Sequence, residues 1–241
     1  MGFRSVGISP QESSVAEKEK KKKTIKKEAE IDNNTIMNVT NQKKLYIVDV
    51  LFVVVTGLLF GLFRPDSVVI AVYFLLFPYM YFTKRKALLV YLGVSSLLAM
   101  VWVVVAQEYY GYNIAFLNIF GVTVFPFFAW ATGLFWLWVL FGHVLRHMQK
   151  KSLYKRFIMC SFVYSIVLIS VEYIAYHFFR IQNVATSEYP GLPFCDCWHA
   201  PVWMQWSYIG LGLMFFALSL HIEAYKNKKV VAKKKRRKKK A

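Results

Sequence analysis

Residues 45–63 read LYIVDVLFVVVTGLLFGLF, a stretch in which Asp49 is the only charge. A helix rising about 1.5 Å per residue needs about 20 such residues to cross roughly 30 Å of hydrocarbon. Outward from this segment, apolar runs recur at approximately 67–82, 87–106, 117–142, 155–179 and 202–224, six in all. The fourth is long enough to tilt, or to begin with a partly embedded turn around Gly121 and Pro126. The pattern predicts an all-α fold, a polytopic membrane protein whose residues 45–224 form a bundle of six transmembrane helices.

Composition agrees. With 57% hydrophobic residues in 241 and a mean hydropathy of +0.38, the chain is too apolar to cover itself with polar surface as a soluble domain must. The net charge of +18 raises the question of nucleic acid, so its placement matters. Residues 1–44 hold ten Lys/Arg against six acids, residues 224–241 hold eleven and no acid, and the apolar body is nearly balanced. Both tails read as disordered, 1–44 as a basic cytoplasmic tail and 225–241 as a polybasic one, because neither has enough apolar residues to offset the entropy of ordering. Basic tails beside spans lie on anionic lipid headgroups, each Lys or Arg contributing about 1 kcal/mol. The run VVAKKKRRKKKA lacks aromatics for base stacking, so specific nucleic-acid binding is not expected. No cleavable signal precedes the first apolar segment, which is expected to act as its own insertion signal.

The loops test the topology independently, since retained cytoplasmic loops are rich in Lys and Arg. The second connection carries Lys84, Arg85 and Lys86, and the fourth carries Arg146, Lys150, Lys151, Lys155 and Arg156. The first, third and fifth share only Arg64 and Arg180. This alternation predicts a multi-pass protein of the cell membrane with both termini cytoplasmic.

Chemistry concentrates between Ser170 and Gln205, SVEYIAYHFFRIQNVATSEYPGLPFCDCWHAPVWMQ. Glu172 is the only acid in the interior of a long apolar segment, Asp49 lying near the start of its own; it is about 17 residues from the segment's start and so in the outer third of the membrane. Glu172, Tyr176 and Arg180 fall at i, i+4 and i+8, a polar ridge on a continuous helix. A carboxyl at that depth is costly unless paired, protonated or facing a wet cavity, and is a functional candidate by default. The other reading is a helix–helix hydrogen bond held by Arg180 or by a neighbouring Tyr or Trp. The following loop, Arg180 to Pro201, is longer than a turn requires, and Pro190-Gly191 and Pro193 would fold it over the bundle mouth as a cap. Cys195, Cys197 and His199 alternate, so on an extended strand they project together and offer two thiolates and an imidazole to Zn or Cu, with His177, Glu172 or Asp196 completing the set. A Cys195–Cys197 disulfide and free thiols are the two alternatives. Cys160 falls within a span and reads as a small core residue.

A second cluster, His143 and His147 with His221 and Glu223, sits at the opposite helix ends; histidines there are favoured by the helix dipole without any metal. Tyr109, Tyr110, Tyr112, Trp198, Trp203, Trp206 and Tyr208 read as an interfacial aromatic belt. Phe127 and Trp130 lie deeper, where ring faces beside a buried acid suit carbocation or polyene chemistry.

The segments VEYIAYHFFRIQN, YPGLPFCDCWHAPVWMQ and GVTVFPFFAWATGLFW resemble those of an uncharacterised group of small six-span prokaryotic membrane proteins. A more remote likeness is to membrane carotenoid enzymes of the lycopene cyclase and hydratase type, similar in size, span number and possession of an intramembrane acid. Those cyclases carry a Pro-x-Glu-Glu motif, whereas here Glu172 stands alone after Ser170-Val171. The resemblance implies an isoprenoid or other lipid substrate. On the enzyme reading, Glu172 is the acid or base, Arg180 tunes it, and the Cys/His loop binds metal or caps the site. The rival reading is a non-enzymatic carrier, or a structural or partner-binding subunit.

Overall fold

The computed structural model describes residues 43–148 and 151–238. The N-terminal tail expected to be disordered thus lies outside the described residues, except for Lys43 and Lys44, which open a helix. The chain divides into two compact units, Met1–Asp49 and Val50–Ala241, and the described part of the first is helical throughout.

Six α-helices carry the fold: α1 (Lys43–Leu62), α2 (Pro65–Phe82), α3 (Leu89–Ala106), α4 (Phe125–His147), α5 (Leu153–His177) and α6 (Val202–Lys238). Among the described residues six helices are long and apolar enough to cross a membrane. The other regular elements are single 3-10 turns and one hairpin, β1 (Asn118–Ile119) and β2 (Val122–Thr123).

The helix ends follow local chemistry. Pro65 takes the first turn of α2, where its missing N–H costs nothing. Asp66 beside it accepts from the Leu117 amide at 2.9 Å and from Arg64 Nη2 at 2.9 Å, while the same Nη2 donates to the Ala115 carbonyl at 2.7 Å. The far end of α2 closes over Lys84 at φ 57, with Lys84 N–H donating to Tyr81 O and Arg85 N–H to Met80 O, the Schellman pattern.

Two boundaries differ from expectation. The fourth span begins at Phe125, not at 117, because Phe120 (φ 52) and Gly121 (φ 81) turn the chain tightly and pair Asn118 with Thr123. The Phe128 amide then reaches the Val124 carbonyl at 3.3 Å and starts α4. At the other end of the chain, α6 runs as helix past the expected boundary at 224 to Lys238. Lysine and alanine are good helix formers, and the first turns of the extension are supported by Lys226 over the Tyr91 ring and Lys229 over Tyr225.

Helix α4 packs on α2 and α3, and α6 packs on α5 and α3. Half of the apolar window of α4 is buried, against 17% of that of α5, so α4 is the inner helix. The core is ring-rich, with Phe135, Tyr164, Phe215 and Phe216 fully enclosed, and Cys160 is a buried free thiol. Exposed faces are apolar too: α3 presents Leu97, Met100, Val101, Val104 and Val105 outward. A helix without a polar face suits an apolar surrounding. Near the α5 start, buried Arg156 donates from Nη2 to Glu223 Oε2 at 2.5 Å, joining α5 to α6 and engaging the acid of the second histidine cluster.

Candidate functional site

Helix α5 is capped at its start by Ser152, whose hydroxyl accepts the Lys155 amide, and it runs unbroken through Glu172 to His177. There the ladder widens. The Phe179 amide reaches Ile174 O, and the Ile181 amide reaches Ala175 O across Arg180, which is left-handed at φ 53. Arg180 is therefore off the helix, and the expected Glu172–Tyr176–Arg180 ridge is corrected to a helical pair followed by an exposed arginine. Among the described residues Arg180 makes no ion pair with Glu172; its carbonyl instead accepts Asn113 Nδ2 at 2.8 Å.

That contact belongs to a zipper between two loops. Asn113 Oδ1 accepts the Gln182 amide at 3.0 Å, Asn183 Oδ1 accepts the Gly111 amide at 2.9 Å, and Asn183 Nδ2 donates to Tyr109 O at 2.7 Å. An antiparallel bridge pairs Tyr112 with Asn183. Amide side chains suit this task because each offers both donors and an acceptor. The result holds residues 109–113 against residues 180–183, just beyond the end of α5.

Glu172 is half-buried and makes no hydrogen bond or ion pair among the described residues. It interacts electrostatically with the phenols of Tyr110, Tyr112, Tyr164 and Tyr208. Three of these belong to a fused aromatic network. Tyr208 is sandwiched between Trp130 (centroids 5.1 Å) and Trp198 (5.5 Å), with Trp102 edge-on at 5.3 Å. Tyr110 Oη accepts from Trp102 Nε1 at 2.7 Å and from Trp130 Nε1 at 3.3 Å and lies 3.5 Å from Tyr208 Oη. Tyr164 donates to the Tyr208 carbonyl at 2.6 Å. Burial pushes the Tyr110 phenol up to about 12, more than its three hydrogen-bond partners pull it down, with the Glu172 charge adding to the rise. Tyr112 is raised well above its ordinary value, again chiefly by burial.

The sequence placed Tyr110, Tyr112, Trp198 and Tyr208 in a belt facing headgroups; here they turn inward around one another. The signal for this lies in Asn113 and Asn183, each of which bonds the backbone of the other's loop about 70 residues away and has no local signature.

The cap forms as expected, and its interior differs. Cys195 and Cys197 are joined in a disulfide with Cα atoms 5.1 Å apart. Both thiolates are thereby removed from the expected Zn or Cu set, and no group of three metal-ligating side chains stands together among the described residues. The histidines serve the backbone instead. His177 Nε2 lies 2.8 Å from Cys195 O, and His199 Nδ1 lies 2.8 Å from Tyr189 O, which fixes that nitrogen as the donor. His199 stacks on Tyr176 with centroids 5.4 Å apart, and its Nε2 is 3.4 Å from Asp196 Oδ1. Thr186 Oγ1 donates to His199 O at 2.6 Å, and Gln205 on α6 donates to the carbonyls of Pro190, Trp198 and Ala200. The structure thus brings Tyr176, His177, His199 and the cysteines into one cap on the end of α5, with Glu172 half-buried one turn below Tyr176 on the same helix.

No family model matches the chain, and no curated protein or solved structure matches it either.

Proposed function

We propose that this is a multi-pass protein of the cell membrane, both termini cytoplasmic, whose outward half holds a proton-transferring site for an isoprenoid or similar lipid, centred on Glu172. The orientation is supported by the excess of Lys and Arg in the second and fourth connections. The basic end of α6 then lies on anionic headgroups of the inner leaflet.

The observation that carries the site is the solitary carboxyl. An acid that held helices together would be paired with its partner in the resting fold, as Glu223 is with Arg156. Among the described residues Glu172 has no such partner, and its charge acts on the phenols of Tyr110 and Tyr112. On this reading Glu172 delivers a proton to, or takes one from, an apolar substrate, and the Trp130–Tyr208–Trp198 stack offers ring faces to the positive charge that develops. The carrier and structural-subunit readings have no comparable support, since a packing role for Glu172 needs a contact that it does not make.

The test compares membranes containing wild-type protein or Glu172→Gln after incubation with an isoprenoid extract, with lipids read by mass spectrometry. A product formed by wild type and lost in the variant is expected. Equal product in both, or in neither, overturns the assignment of Glu172 as the proton-transferring group.

A further inference from the structure

We propose that Cys195–Cys197 is an exchange-active disulfide that accepts two electrons from a dithiol, a chemistry separate from that at Glu172. Three observations carry it.

The first is ring size. The two cysteines enclose a single residue, Asp196. A cross-link stabilises a fold chiefly by removing entropy from the unfolded chain, and that effect shrinks with the enclosed loop. So short a loop contributes little to stability, and the cap already has hydrogen bonds from His177, Thr186 and Gln205 to hold it. Stability alone does not account for the bond.

The second is the backbone. Asp196 inside the ring sits at φ 43 and Trp198 just beyond it at φ 65. Residues with a Cβ reach this left-handed region at a cost, and such conformations collect at functional sites. Opening the ring frees Asp196 to return to an ordinary basin, so reduction relieves the local backbone.

The third is asymmetry of access. Cys197 is fully buried, packed among the core residues, whereas Cys195 is partly exposed at the loop surface. An incoming thiolate therefore attacks Cys195 Sγ, and Cys197 Sγ leaves. A bond forms between the donor sulfur and Cys195, the Cys195–Cys197 bond breaks, and the Cys197 thiolate takes a proton from water. The second thiol of the donor then attacks its own sulfur in the mixed disulfide and expels Cys195 as a thiol. The donor ends oxidised to a disulfide, and the protein ends with two thiols.

The experiment uses the full chain in lipid nanodiscs, a graded series of glutathione redox buffers, and a parallel series with a reduced two-cysteine peptide. After each incubation exchange is quenched with acid, the protein is unfolded, and free thiols are counted by maleimide mass tagging, with Cys160, a free thiol throughout, as the internal reference. Two further thiols are expected to appear in the folded protein under glutathione, which leaves ordinary structural disulfides closed. One peptide disulfide should form for each pair gained. In Cys197→Ser, a glutathione adduct should form on Cys195; in Cys195→Ser, adduct on Cys197 should form at least tenfold more slowly. Faster exchange with the peptide assigns a protein donor, and faster exchange with glutathione a small-thiol donor. A pair that stays closed in wild type through both series until the protein is denatured overturns the proposal, and so does equal reactivity of the two cysteines in the single variants.

Discussion

The Tyr164 ring lies where a side chain on Gly212 would begin: a Cβ at that position would stand 2.1 Å from Tyr164 Cε1. The absence of that carbon lets α5 and α6 approach closely enough for Tyr164 to donate to the Tyr208 carbonyl one turn away. The seat of Tyr208 in the aromatic stack thus depends on a glycine four residues along its own helix. Gly212→Ala is expected to force the helices apart and to lower the thermal midpoint in detergent by more than Tyr164→Phe does. The latter removes one hydrogen bond worth about 1 kcal/mol and no packing volume. Equal midpoints for Gly212→Ala and wild type would contradict the close approach.

Buried Arg156 and half-buried Glu223 form the tie at the opposite end of the same helix pair. Removing one partner leaves the other charge uncompensated, a loss that reaches about 3 kcal/mol for well-buried pairs and is smaller here because Glu223 is partly exposed. Glu223→Gln and Arg156→Met should each destabilise the protein by a comparable amount. The double variant Arg156→Met with Glu223→Leu should recover most of the loss. Denaturation curves of the three variants check this, and additive losses would show that the two residues do not act as a pair.

The Tyr110 phenol gives a pH signature. Its folded-state value of about 12 lies above the ordinary phenol value of about 10, so between these limits the folded state keeps a proton that the unfolded state has lost. The associated stability is fully present below about pH 10 and is lost as pH rises through about 12. Tyrosinate absorbance should therefore show a late-titrating class of phenols that shrinks in Tyr110→Phe. Titration of all tyrosines in one step near the ordinary value would contradict the enclosure of Tyr110.

Much of this architecture is legible in the sequence because span length and apolarity are local properties. The starts of α1, α2, α3, α5 and α6 fall within a few residues of where hydropathy places them. The start of α4 does not, because Leu117–Val124 is as apolar as a span while its backbone is turned by Phe120 and Gly121. Arg180 is misjudged for a related reason: spacing places it on the helix, and nothing in an arginine announces a left-handed terminus. The pairing of Cys195 with Cys197 is one of the alternatives that the alternation of the loop allows. The inward turn of Tyr110 and Tyr112 is beyond local reading, since it follows from contacts that Asn113 and Asn183 make across the chain.

Were Glu172 a packing group, replacing it by an apolar residue of similar size would cost stability. A carboxyl with no partner among the described residues should behave in the opposite way, because leucine removes a half-buried polar group and breaks no such contact. Glu172→Leu is expected to match or exceed the wild-type yield and melting temperature. A clear fall in melting temperature would return Glu172 to a structural role.

The most direct test of the account is chemical labelling of the protein in lipid bilayers with an apolar carbodiimide, which reacts with protonatable carboxyls reached from the hydrocarbon, followed by peptide mass spectrometry. An adduct on Glu172 is expected, lost in Glu172→Gln, with Glu223 protected by Arg156. An unlabelled Glu172 under conditions that modify other acids would contradict a lipid-accessible proton-transferring site at this position.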